Sequence, residues 1–303
     1  MNVDLGGVRT TLIGGAGYRP ALADWLTPRR PTRGSRPAEI AFVLKDSEGP
    51  RPPGTPALAT GLVDVWVEDD YVRVVGADGL GGEVDLAAKR GAIYAPGTST
   101  ERHRRAIHFA FRPLWYLALG RSGRHFVHAA GVVLDGTPAL IVGPSGAGKS
   151  TLAVHLALRG AQLLGDDFVF VDEEARHAYS AGDRARLHPT QAERLGLTGR
   201  QSVDEKLLVD VPSRVSSMAP QRLVFLDDSI DSSRTLDPAD AMAKILVSFS
   251  FGLDKSRDRA RLGVAAALSR NLPALAVPAR PSERHIADLE EWITEPAASR
   301  RSA

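Results

Sequence analysis

The chain has no cysteine among its 303 residues, which excludes disulfides, thiolate metal sites and cysteine nucleophiles. Lysine is scarce. Only six of the 38 basic residues are Lys, and 36 acidic residues hold the formal net charge to +2. That near balance gives no electrostatic case for nucleic acid as a partner. The cluster Arg102, Arg104 and Arg105 reads as the solvated start of a helix. No apolar run approaches the roughly 18 residues that a membrane span needs, and no basic-then-apolar leader opens the chain. The expectation is a cytoplasmic protein with no membrane partner, and the 43% hydrophobic and 24% charged content is that of a globular one.

Against these absences stands one strong motif. Gly143-Pro144-Ser145-Gly146-Ala147-Gly148-Lys149-Ser150 fills every fixed position of the pattern G-x-x-x-x-G-K-S/T, with Thr151 following. Ala139–Val142 reads as a strand entering the loop, and Thr151–Arg159 continues at helical spacing up to Gly160. The glycines let backbone N–H groups turn inward around a polyphosphate, and the helix N-terminus adds its partial positive charge. Lys149 would reach the β- and γ-phosphates, and the Ser150 hydroxyl would serve Mg²⁺. A nucleotide with Mg²⁺, ATP in the first instance, is the expected cofactor.

The texture changes along the chain. Residues 1–99 alternate short β-like runs (Val8–Ile13, Glu39–Leu44, Leu62–Val67, Tyr71–Val75) with turn-rich stretches, of which 27–37 and 47–56 are rich in Pro, Arg and Gly. Gly61–Pro96 reads as a small antiparallel sheet turning at Asp69-Asp70. This is expected to be a β-rich N-terminal domain with a role in acceptor recognition. Residues 100–303 would form the nucleotide-binding catalytic domain. A helix over Thr100–Leu119, capped by Thr100 and broken or kinked at Pro113, would couple the two, with Phe109, Phe111, Trp115 and Tyr116 read as core. Asp135-Gly136 is a type I′ turn signal joining Val127–Leu134 to Ala139–Val142, so the strand feeding the loop runs antiparallel to its predecessor. Further strands are expected at Ala161–Leu164, Phe168–Val171, Leu223–Leu226 and Leu275–Val277. Helices are expected at Ala239–Phe249, Arg259–Leu272 and Ser282–Ile293, before a frayed tail, Pro296–Ala303.

A transfer reaction needs acidic groups to hold a metal or accept a proton. Three acidic pairs follow apolar runs: Asp166-Asp167, Asp172-Glu173 and Asp227-Asp228. Their spacing alone does not choose among them. The arrangement His128, Gly143–Ser150, Arg159-Gly160, Asp166-Asp167 resembles the HPr kinase/phosphorylase family over about 45 residues. That family shows a histidine ahead of the loop and an arginine-glycine before a buried Asp-Asp. The resemblance implies an α/β fold with an HPr kinase/phosphoenolpyruvate carboxykinase-like P-loop domain, here preceded by the smaller β-rich domain. It also implies Asp166 as the general base, His128 as the group that holds and tunes it, and Asp167 as support for the metal or the same network.

The Glu-containing signature E-I-R-G-x-G of bacterial HPr kinases is absent; the region reads Asp183-Arg-Ala-Arg-Leu-His-Pro. The pattern Arg186-Leu-His-Pro, then Glu205-Lys206-Leu-Leu-Val, is similar instead to the HPr-kinase-related enzymes of peptide natural-product systems, including kinases of lasso-peptide precursors. Arg186 and Lys206 are the expected phosphate or transition-state cations. The expected activity is phosphorylation of a serine hydroxyl on a peptide or small protein by a homo-oligomer. Two other readings stand beside it: a kinase of a small molecule such as free serine, and a nucleotide-driven switch or ATPase using Asp227-Asp228. No L-S-G-G-Q stretch follows the loop, which speaks against a transport ATPase.

Overall fold

The computed structural model describes residues 1–5, 8–14, 17–23, 36–76, 78–180, 182, 184–202, 204–249 and 255–296. The Pro/Arg-rich stretch 27–37 falls almost wholly outside them, as does the tail beyond 296. Asp183 and Ala181 are outside as well.

The chain divides into two compact units. The first comprises Met1–Arg124 with the short segments Ser202–Asp204 and Leu253–Arg257. Its strands are β1 (Asn2–Leu5), β2 (Val8–Gly14), β3 (Arg36–Lys45), β4 (Leu58–Ala59), β5 (Val63–Glu68), β6 (Tyr71–Gly76), β7 (Gly81–Asp85) and β8 (Arg90–Tyr94). They form one eight-stranded sheet in the order β1-β2-β3-β8-β7-β6-β5-β4. The antiparallel run expected over Gly61–Pro96 is there, turning at Asp69 with a φ of 50°. It is not a separate small sheet, because β3 pairs in parallel with both β2 and β8 and joins it to the N-terminal strands.

Helices α1 (Tyr18–Ala23), α2 (Thr100–Ala106) and α3 (Arg112–Gly120) also belong to this unit. One π-turn, Ile107–Phe111, links α2 to α3 without a break. Pro113 therefore does not stop the helix. It sits in the first turn of α3, where a missing N–H costs little. The N-cap position is Ser99, not Thr100. Trp115 Nε1 donates to Thr10 Oγ1 at 3.0 Å, and Phe111 meets Phe42 edge-on at 5.1 Å. Phe111 and Trp115 are core, as expected, whereas Phe109 and Tyr116 are half-buried. This packing puts the unit boundary at Arg124/His125 rather than at 99/100: an amphipathic helix belongs with the sheet that buries its apolar face. The basic cluster is solvated, with Arg104 near Glu101 at 3.6 Å and Arg105 on Asp78 at 2.7 Å.

The second unit opens with β9 (Arg124–Val127), β10 (Ala129–Leu134), β11 (Thr137–Val142) and α4 (Lys149–Leu158). There follow β12 (Gln162–Gly165), β13 (Val169–Asp172), β14 (Ala178–Ser180), β15 (Ala185–Leu187), α5 (Pro189–Arg194), β16 (Arg200–Gln201), β17 (Leu207–Val209) and β18 (Ser217–Met218). The C-terminal part adds β19 (Arg222–Asp227), β20 (Arg234–Leu236), α6 (Pro238–Leu246), α7 (Lys255–Asn271), β21 (Ala274–Pro278) and α8 (Glu283–Thr294). The central sheet runs β12-β10-β11-β19-β21-β20, flanked by the sheets β18-β14-β13-β9 and β15-β17-β16.

The expected hairpin joins β10 to β11, with Asp135 and Gly136 both at positive φ (46° and 79°) as a type I′ turn requires. From β11 the sheet continues in parallel to β19 and β21. These central strands are buried on both faces. Ala139, Ile141, Val224, Leu226, Leu275 and Val277 join the core beneath α4 and α8. Leu140, Val142, Leu223, Phe225, Ala274 and Ala276 join the opposite core with α6 and α7. This period-2 division explains why their sequence is continuously apolar.

Candidate functional site

The site gathers at one edge of the central sheet, where β11, β12, β19 and β21 end and β10 begins. Such an edge is where open α/β sheets take their ligands. The Gly143–Ser150 loop leaves β11 here. A Cβ on Gly143 would lie 3.0 Å from Leu226 Cβ, so this first glycine lets the loop pack onto β19. Gly146 and Gly148 serve a different need, a left-handed backbone (φ 81° and 101°) that other residues rarely adopt. A Cβ on Gly146 would meet nothing within 4 Å. Helix α4 begins without a side-chain cap, so its first N–H groups, which no helix pairs internally, are not taken by a capping side chain, as an anion cradle requires. Donors and geometry fit a polyphosphate.

His128 was expected inside a continuous strand, Val127–Leu134. The run is instead cut at that residue: β9 pairs in one sheet and β10 in another, and the His128 N–H donates to the Ser248 carbonyl at 2.8 Å. Lys149 is buried, its ammonium donating to the carbonyls of Gly143 (2.8 Å) and Pro144 (3.0 Å) and to His128 Nε2 (2.9 Å). The other ring nitrogen, Nδ1, lies 3.0 Å from Asp167 Oδ1. An Nε2 that accepts from an ammonium fixes the tautomer: the proton is on Nδ1 and points at Asp167. Burial pushes the His128 pKa down against the upward pull of Asp167, and the cations Lys149, Lys206 and Arg186 add to the lowering. Burial likewise lowers Lys149.

Asp166 and Asp167 are both buried, which excludes an exposed turn. Their placement follows from an irregularity where β10 meets β12. Gly131 pairs with Gly165, but Val132 pairs with Leu163, so one residue bulges just before the acidic pair. Asp167 is held from two sides, by His128 and by Arg186, whose guanidinium lies 2.6 Å from Oδ2. Arg186 also lies over the Phe168 ring, 4.8 Å from its centroid. Asp166 Oδ2 accepts the backbone N–H of Arg186 at 2.8 Å, and its main-chain carbonyl accepts from Ser150 Oγ at 3.0 Å. Among the described residues no hydrogen bond occupies Asp166 Oδ1. Burial raises the Asp166 pKa, with Arg186 the largest opposing influence. His128 therefore grips Asp167 and not, as the resemblance implied, Asp166. Half-buried Lys206 lies close enough to affect both His128 and Lys149.

The first acid of each other pair is engaged elsewhere. Asp227 accepts from Lys244 Nζ (2.6 Å) and from Ser229 Oγ (2.6 Å) and N (3.0 Å), which holds its pKa far below the ordinary value. Asp172 ties the turn between β13 and β14 by accepting from the N–H groups of Arg176 (2.7 Å) and His177 (3.2 Å). Among the described residues no group of three or more His, Asp or Glu side chains is set to hold a metal. Mg²⁺ seldom needs one, since it is commonly bound by one or two protein oxygens together with phosphates. Two contributors went unnoticed in the sequence: Phe168, beneath Arg186, and Arg214, whose charge reaches Asp166. Nothing local in the sequence marks Arg214.

No protein-family model matches the chain. Over 93 residues it is 36% identical to the HPr kinase/phosphorylase of Geobacter sulfurreducens. Over that stretch the chain is similar to an HPr kinase/phosphorylase. That match spans 28% of the chain and 29% of the relative's own length. Among solved structures, the HPr(Ser) kinase/phosphatase of Coxiella burnetii is 17% identical, covering 55% of the chain and 93% of its own, with a TM-score of 0.31. The α/β architecture accordingly rests on the sheet topology given above. Among the described residues no helix is long and apolar enough to cross a membrane.

Proposed function

We propose that the chain is an ATP- and Mg²⁺-dependent kinase that transfers the γ-phosphoryl group to a serine hydroxyl of a peptide or small protein. The observation that carries this reading is the continuous run Lys149–His128–Asp167–Arg186 beside a buried Asp166 with one unoccupied oxygen. Gly143–Thr151 would hold the phosphates, with Lys149 turned from its own loop carbonyls toward them. Ser150 would serve Mg²⁺ through its hydroxyl. Asp167, with one partner on each oxygen, would support that metal through a remaining lone pair beside its place in the network. Bound Mg²⁺ would neutralise charge on the transferring phosphoryl group.

Asp166 is the general base in this reading. Its raised proton affinity and open Oδ1 suit a group that must take the acceptor's proton. His128 positions Asp167 and, being neutral, leaves Lys149 its full charge for the phosphates. Arg186 and Lys206 would balance charge as the phosphoryl group moves. For the acceptor we favour a serine of a ribosomal precursor peptide, on the resemblance of Arg186-Leu-His-Pro and Glu205-Lys206-Leu-Leu-Val to the lasso-peptide kinases. The β-rich first unit would recognise that peptide, and the assembly would be a homo-oligomer. A switch using Asp227 is less favoured, because Lys244 and Ser229 already engage both oxygens of that carboxylate.

The test is the intact mass of candidate acceptors after incubation with the protein and ATP–Mg²⁺. The panel holds precursor peptides, HPr protein and free serine. A gain of one phosphate on a peptide, absent with Asp166→Asn, is the expected result. Transfer to free serine alone would overturn the peptide acceptor, and ATP binding without transfer to any of them would overturn the kinase.

A further inference from the structure

Arg280 is the second residue after β21, and its guanidinium has no hydrogen bond or ion pair among the described residues. It is exposed, and its backbone lies in the left-handed region, with a φ of 55°. That conformation is uncommon for a long side chain. Two hydrogen bonds hold it in place: Ala279 N–H donates to the Asp227 carbonyl at 2.8 Å, and Arg280 N–H donates to the Ala147 carbonyl at 3.2 Å. The second bond ends inside the phosphate loop itself. A Cβ on Gly148 would lie 3.8–3.9 Å from Arg280 N, Cα and Cγ, so the arginine stem runs alongside the last loop glycine. A residue kept in an unfavourable conformation by the loop, with its charged plane left unpaired, calls for a ligand-side explanation.

The sheet order supplies a direction. On one side of the loop stand β10 and β12, carrying His128 and the two aspartates, and Lys149 points toward them. On the other side stand β19, ending in Asp227, and β21, followed two residues on by Arg280. In a nucleoside triphosphate the base and the terminal phosphate stand at opposite ends of the chain. If its terminal phosphate faces Lys149 and Asp166, its nucleoside extends toward β21. We propose that Arg280 is the nucleoside contact of this site, its guanidinium plane lying against the base. The proposal rests on the nucleotide-binding reading above. A guanidinium suits this place because it stacks on a π-face while keeping its edge in water.

The test measures binding of ATP, ADP and inorganic tripolyphosphate to the full chain and to Arg280→Gly, Arg280→Lys and Lys149→Ala. Glycine accepts the φ of 55°, so Arg280→Gly keeps the loop contact and is expected to unfold at an unchanged or higher temperature. Its affinity for ATP and ADP should fall roughly 5–30-fold, with tripolyphosphate unchanged. Arg280→Lys, which keeps the charge but loses the plane, should lose most of the same affinity. Unchanged ATP binding in Arg280→Gly overturns the proposal. So does an equal loss for tripolyphosphate, or full retention in Arg280→Lys, since either would put the residue on a phosphate. Lys149→Ala is the separate control: if it leaves ATP binding intact, the loop is not the nucleotide site and both readings fall together.

Discussion

Asp166 and Asp167 are adjacent and both buried, yet replacing each with Asn is expected to move stability in opposite directions at neutral pH. Burial raises the Asp166 pKa above its ordinary 3.8, so the fold favours its protonated form. The stability from that preference is fully present below 3.8 and is lost as pH rises through the raised folded value. Asn retains an oxygen for the Arg186 N–H and carries no charge. Asp166→Asn should therefore be more stable than the parent at pH 7, the gain shrinking as pH falls and Asp166 itself takes up a proton.

Asp167 is an anion held between His128 and Arg186 at 3.0 and 2.6 Å, with both Asp167 and Arg186 side chains about a tenth exposed. Removing one partner of such a buried pair costs about 3–5 kcal/mol. At roughly 2–4 °C per kcal/mol for a unit of this size, the midpoint should fall by about 6–20 °C. Thermal and urea unfolding at pH 7 and at pH 4.5 reads both effects. Transfer by Asp166→Asn should drop roughly 10²–10⁴-fold with ATP affinity retained. If Asp166→Asn destabilises as much as Asp167→Asn at pH 7, desolvation does not dominate at Asp166, and the argument for a raised, proton-hungry carboxylate is refuted.

Asp227→Asn should leave phosphoryl transfer nearly unchanged and lower stability at pH 7. The depressed Asp227 pKa gives stability that is present above 3.8 and lost as pH falls through the folded value. Urea unfolding at pH 7 and in progressively stronger acid should show the gap to the parent constant above 3.8 and narrowing only below it; a large rate loss with intact stability would instead make Asp227 a metal ligand. The unit boundary is open to a truncation test. A fragment beginning at Thr100 would carry α2 and α3 without the sheet that covers Phe111 and Trp115, and should bind a hydrophobic dye and aggregate. One beginning at Arg121 should do neither, and equal solubility of the two would contradict the placement of those helices.

How much of this could be read in advance depended on whether a feature was encoded by neighbours in the chain. The Gly143–Ser150 loop was legible as a strand-to-helix turn because its conformation imposes local demands: left-handed glycines at 146 and 148, a helix starting at Lys149, and an apolar strand before them. The type I′ turn at Asp135-Gly136 was legible for the same reason. The break at His128 was not. Phe126 to Leu134 is apolar on either side of it, and only the change of sheet and the Ser248 carbonyl, 120 residues away in sequence, interrupt the strand. The aspartates differ in their partners. Spacing alone offered three acidic pairs, and what separates them is the partner each finds: Lys244 for Asp227, the Arg176 and His177 amides for Asp172, His128 and Arg186 for Asp167. A carboxylate near a nucleotide loop becomes chemistry or scaffold according to whether one of its oxygens is left open. By that criterion Asp166, with Oδ2 on a backbone amide and Oδ1 unoccupied, is the residue on which the kinase reading turns.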